Sequence, residues 1–129
     1  MTLLLMLMIR PALAQEEICG GTFAVEEFVD AIDAVDEAIA DGNGALSRRI
    51  LDDVYDAMRC VGGLIAPADL GRYAQQTSFI AFYAQDYEEA AAWAQLAFET
   101  AGADPLPTSY PITNAYLDML DALPPPRIL

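Results

Sequence analysis

Apolar residues recur along this chain at intervals of three and four, the spacing of helices that pack by one face. In TFAVEEFVDAIDAVDEAIADG, the residues Val25, Phe28, Val29, Ile32, Val35 and Ile39 share such a face. Thr22 is placed to cap its start, and Asp41-Gly42-Asn43-Gly44 stops it with residues suited to turns and to positive φ. A second helix over 45–61 brings Leu46, Ile50, Leu51, Val54, Met58 and Val61 inward and ends at Gly62-Gly63. Pro67 suits the first turn of a third, which runs to about Ala84 with Leu70, Tyr73, Ala74, Thr77, Ile80 and Ala81 toward the core. Asp86, with Glu89 three residues on, opens a fourth helix as a capping box. Its stripe is Ala90, Trp93, Ala94, Ala97 and Ala101, and Gly102 closes it. A Pro-rich link, Pro105 to Pro111, leads to a short fifth helix over 112–123. No strand pattern of comparable length occurs. Short connections favour antiparallel neighbours, so the predicted fold is all-α: two antiparallel helical hairpins and a C-terminal lid helix.

Ahead of these helices runs MTLLLMLMIRPALA. A short apolar core, Leu3 to Ile9, is followed by Ala12-Leu13-Ala14, the small-x-small triplet that a signal peptidase reads, and cleavage after Ala14 is expected. The departure from the pattern is that no Lys or Arg precedes the apolar run. The alternative is an N-terminal helix belonging to the fold. A membrane span needs about 20 apolar residues, and this run is shorter. Cys19 follows Glu16, Glu17 and Ile18 rather than the small residue that lipid attachment requires, so no lipid anchor is expected. The implied plan is a signal peptide at 1–14, one helical domain at 15–123 and a disordered tail at 124–129, in the periplasm or secreted.

In an oxidising compartment two cysteines in a small domain pair. Cys19 stands just before helix one and Cys60 at the end of helix two, and an antiparallel hairpin sets those ends side by side. A bridge there closes a loop of 41 residues, worth roughly 4 kcal/mol through the unfolded chain. The competing reading leaves both as thiols, with Cys60 buried as a small apolar residue.

The second hairpin, SFIAFYAQDYEEAAAWAQLAFETAGADP, resembles a tetratricopeptide repeat. It carries a small residue early in its first helix (Ser78), Asp86-Tyr87 at the turn, and Ala90 and Ala97 seven apart where the two helices approach closely. The first hairpin matches more loosely, with Gly42 at the turn, Ser47 in place of the first alanine, then Leu51 and Val54. Ser47 and Ala90 stand 43 apart, against a family period of 34, and the closing proline is delayed to Pro105. The layout is similar to the repeat-bearing front portion of certain exported bacterial envelope proteins. An unrelated helical bundle is the alternative.

Twenty acidic residues against six basic ones give a net charge of −14, a balance that repels nucleic acid and anionic membrane surfaces. It suits a basic partner, or nothing more than solubility. The sequence contains no histidine, and so lacks the commonest general base and metal ligand. Ser47, Ser78 and Ser109 have no nearby Lys or His to activate them. Glu26, Asp30, Asp33 and Glu37 form a stripe on helix one that reads as a solvated face, without the opposed pair a glycosidase needs. No enzymatic activity, cofactor or metal is therefore expected.

The expected function is that of a non-catalytic, exported protein-interaction module, binding a protein or peptide. The resemblance implies a groove lined by the first helix of each pair, which on helix three means Arg72, Gln75, Phe79, Phe82 and Tyr83. That helix has more aromatics than one core-facing stripe can hold, so some of them face either the groove or the lid helix. The alternative function is a self-associating structural component of the envelope, a homo-oligomer.

Overall fold

The computed structural model describes residues 23–101, 107 and 109–124. The expected signal peptide, Thr22, Cys19, Gly102, Pro105 and residues 125–129 of the expected tail lie outside these. The described chain folds into α1 (Val25–Ala40), α2 (Gly44–Ala57) with a 3-10 turn at Met58–Cys60, α3 (Pro67–Tyr83), α4 (Tyr87–Ala101) and α5 (Asn114–Asp121). It is all-helical, in two antiparallel hairpins, α1–α2 and α3–α4, with α5 packed on the second. Among the described residues no helix is long and apolar enough to cross a membrane.

The start of α1 differs from expectation for a backbone reason. The Phe23 N–H donates to the Cys60 carbonyl (3.0 Å), and the Gly62 N–H donates to the Phe23 carbonyl (3.0 Å). Phe23 is held as an isolated parallel bridge to Val61, so the helix begins only at Val25. Ala24 takes the N-cap position, without a side-chain cap, in place of Thr22. Gly63 permits this crossing, because a β-carbon there would lie 2.9 Å from Val25 Cγ2. The pairing brings Phe23, four positions after Cys19 in the sequence, onto the backbone of Cys60, and no described cysteine is free.

Both hairpins turn by the same device. After α1, the Gly42 N–H bonds the Ile39 carbonyl (3.0 Å) and the Asn43 N–H bonds that of Ala38 (2.8 Å), with Gly42 at φ 75°. After α3, the Gln85 N–H bonds the Phe82 carbonyl (3.0 Å) and the Asp86 N–H bonds that of Ala81 (2.9 Å), with Gln85 at φ 65°. This paired arrangement is the Schellman motif, repeated at an offset of 43 residues. The same offset relates Ser47 to Ala90, Leu51 to Ala94 and Val35 to Ser78, and all six are buried. The two hairpins thus share their turn geometry and these buried positions at a single offset.

Asn43 also opens α2, its Oδ1 accepting the Leu46 N–H (3.1 Å). Leu46 itself is 39% exposed rather than inward, because the buried face of α2 is set by Ser47, Leu51 and Val54. The α-helix stops at Ala57, four residues short of the expected end, where the chain tightens into the 3-10 turn. The fifth helix is also shorter than predicted, with Thr113 as its N-cap.

The core joins Phe28, Ile32, Val35 and Ile39 of α1 to Leu51 and Val54 of α2 and to Tyr73 and Phe79 of α3. Tyr110 and Tyr116 from the C-terminal segment complete it. Helix α3 is central: it packs on α4, touches both helices of the first hairpin, and receives Tyr116. That is why its buried residues include Gln76 and Ser78 as well as the predicted Tyr73, Ala74 and Ala81.

Candidate functional site

The five residues expected to line a groove all lie on α3, and the fold uses most of them internally. The Arg72 guanidinium reaches Asp33 (2.9 Å) and Asp36 (2.7 Å) on α1, with Asp69 at 4.0 Å. Burial works against its charge, but the hydrogen bonds and charges of Asp33 and Asp36 outweigh that and raise its pKa above the ordinary value. Asp36 is the hub. It also accepts from Gln76 Nε2 (2.8 Å) and from the Tyr110 hydroxyl. Gln76 Nε2 bonds the Ile32 carbonyl as well (2.8 Å). Burial and the bond to Asp36 push the Tyr110 phenol well above its ordinary pKa.

Phe79 is 3% exposed, with ring centroids 4.6 Å from Tyr83, 5.0 Å from Tyr110 and 5.3 Å from Tyr116. It is a core residue under the C-terminal segment and offers a partner almost no surface, which corrects its assignment to an open groove. Phe82 is half-buried between Tyr83, Tyr87 and Tyr116. Tyr83 is 42% exposed, but its hydroxyl donates to the Pro111 carbonyl and accepts the Thr113 N–H, both at 3.1 Å. Gln75 is half-buried and engaged. Of the two faces open to the α3 aromatics, the C-terminal segment takes them. The α1–α3 side is closed by the chain itself.

The opposite side of the junction is open. A cleft of about 340 Å³ lies between α2 and α4, with α3 behind it. Leu51, Tyr73, Thr77, Ile80 and Ala81 form its depth. Arg48, Asp52 and Tyr55 line it from α2, and Asp86, Glu89 and Trp93 from the second hairpin. Trp93 is held in place: its indole N–H donates to Glu89 Oε2 (3.1 Å), and its ring meets Tyr73 edge-on at 5.7 Å and 87°. Tyr55 is 61% exposed at the mouth. Arg48, Asp52 and Asp86 make no side-chain hydrogen bond or ion pair within the described structure. Burial, with Tyr55, Asp52 and Asp56 adding their charge, raises the Tyr73 pKa.

Sequence reasoning assigned Trp93 to the core stripe and Asp86 with Glu89 to a cap, and so did not assemble this cleft. A signal was present: Arg48, Asp52 and Tyr55 fall at i, i+4 and i+7, one helix face away from the apolar stripe. Among the described residues no group of three or more acidic or cysteine side chains is placed to hold a metal ion. The cleft brings aromatic walls together with the unengaged charges of Arg48, Asp52 and Asp86, the mix of apolar lining and a few polar groups usual in ligand pockets. Compared with known proteins, the chain matches no family model, no curated protein and no solved structure.

Proposed function

We propose that this chain is a non-catalytic protein-interaction module, exported by the segment 1–14 and built on a helical repeat of the tetratricopeptide kind. What carries the reading is the contrast at the hairpin junction: one side ties Arg72, Asp36 and Tyr110 together internally, whereas the other leaves Arg48, Asp52, Asp86 and Tyr55 unengaged around a cleft backed by Trp93. The recurrence of the turn and of buried positions at an offset of 43 supports a helical repeat, with a period longer than the 34 of the tetratricopeptide family. The contact of Phe23 with the backbone of Cys60 supports a Cys19–Cys60 staple, which peptide mapping without reduction would reveal.

Site-specific photo-crosslinking in the source cell tests the binding reading. A benzophenone amino acid at Tyr55 is expected to capture a different protein, and the same group at Glu26 on exposed α1 is expected to capture none. Equal capture at both positions, or none at Tyr55, would overturn it. Capture of a second copy would instead favour a self-associating envelope component, for which exposed Leu64 (98%), Leu96 and Leu117 speak. The mature protein is expected to begin at Gln15, and an intact mass that includes residues 1–14 would remove the export assignment.

A further inference from the structure

Resting on that reading, we infer that the α2–α4 cleft receives the guanidinium of an arginine carried on a partner segment. The size fits one long side chain: about 340 Å³ is at the low end of the roughly 300–1,000 Å³ usual for ligand pockets. The charge fits as well. Asp52, Asp86 and Glu89 face the cleft against a single cation, Arg48, in a chain of net charge −14. Asp52 and Asp86 have no partner within the described structure, so their acceptors are available to a bidentate donor.

The walls favour guanidinium over ammonium. Trp93 is fixed by Glu89 and Tyr73, and Tyr55 stands free at the mouth. A flat, weakly hydrated cation stacks on such rings and forks onto carboxylates in a way a compact ammonium does not. The aliphatic stem has Leu51, Ile80 and Ala81 to lie along. The exposure of Tyr55 leaves room for the rest of the partner chain to continue over the surface. Arg48 is the cleft's own cation and works against a second one.

Trp93 is the chain's only tryptophan, so its emission reports on the cleft directly. The probe is the blocked peptide acetyl-Gly-Gly-Arg-Gly-Gly-amide, titrated beside versions carrying lysine or uncharged citrulline. The arginine peptide is expected to give a saturable change, with citrulline weaker by about tenfold or more and lysine between them. The double substitution Asp52→Asn, Asp86→Asn is expected to weaken binding by about tenfold. A control, Asp30→Asn with Glu37→Gln, removes the same charge from the exposed face of α1 and is expected to change it by less than about twofold. All four positions are exposed, and circular dichroism checks that each variant stays folded. Arg48→Met is expected to tighten binding.

Equal loss in the control would mean a general field rather than a site, and equal binding of citrulline would remove the cation. Either result, or no saturable response, overturns the assignment. If capture at Tyr55 persists while the peptide fails, the docking surface stands and the arginine falls. If both fail, the interaction reading falls with it.

Discussion

On the α1–α3 side of the hairpin junction, Arg72, Asp33, Asp36, Gln76 and Tyr110 are linked by hydrogen bonds across three parts of the chain, although the buried Gln76 Oε1 has no partner among the described residues. On the α2–α4 side, residues of the same types, Arg48, Asp52, Asp86 and Tyr55, face a cleft and largely lack such links. The difference lies in what covers each side. The C-terminal segment lays Tyr110 onto Asp36 and hooks Tyr83 through Pro111 and Thr113. No described element covers the cleft in the same way. Polar groups that are satisfied internally hold a junction rigid, and groups left unengaged beside fixed aromatic rings are where a partner gains most.

The largest expected break in this comparison is Phe79→Ala. It removes a ring buried under the covered side and should cost about 3–5 kcal/mol in chemical denaturation. A cost below about 1 kcal/mol would mean that the C-terminal segment does not sit on α3 in solution.

Alkali probes both sides of the junction through their buried phenols. Burial first of all raises the pKa values of Tyr73, Tyr110 and Tyr116, in each case from an ordinary value of 10.0. The unfolded chain releases those protons as pH passes about 10, whereas the folded chain retains them until higher pH. Their contribution is fully present below pH 10 and is lost as pH rises above it. Phenolate absorbance should therefore rise together with loss of helix. Independent titration of the three tyrosines within an intact fold would contradict their burial.

Asp36→Ala comes next. It leaves the Tyr110 hydroxyl without its acceptor, while Arg72 keeps Asp33 and Gln76 keeps the Ile32 carbonyl. The expected loss of stability is about 1.5–3 kcal/mol, measurable by urea unfolding. The smallest effect is expected across the junction: Tyr55→Ala should change stability by no more than about 0.5 kcal/mol while weakening the arginine-peptide response of Trp93 emission. A larger destabilisation would place Tyr55 in the fold rather than at its mouth.

The positions of the helices were legible in the chain because their signals are local. Gly42 takes the positive φ that ends α1, Asn43 caps α2, and Pro67 opens α3, each acting on backbone groups within a few residues. Apolar periodicity likewise marked Phe28, Ile32, Leu51 and Val54 for the core. Where a distant strand of chain intervened, the local signal lost: pairing with Cys60 and Gly62 straightened Phe23 and moved the start of α1 past the expected cap. Gln85 adopts the same turn conformation as Gly42 without being glycine, because the two hydrogen bonds of the hairpin turn hold it there.

What only the tertiary structure decided is which face of α3 meets which neighbour. A helix periodicity shows that Phe79, Phe82 and Tyr83 outnumber the places on one stripe, but not whether solvent or another segment receives the surplus. That depends on Tyr110 and Tyr116 returning from about thirty residues down the chain, at an entropy of loop closure that varies only slowly with length and leaves no local mark. The cleft is hidden from the sequence for the same reason. Arg48, Asp52 and Tyr55 are neighbours on their own helix, but their juxtaposition with Asp86, Glu89 and Trp93 exists only once the two hairpins stack.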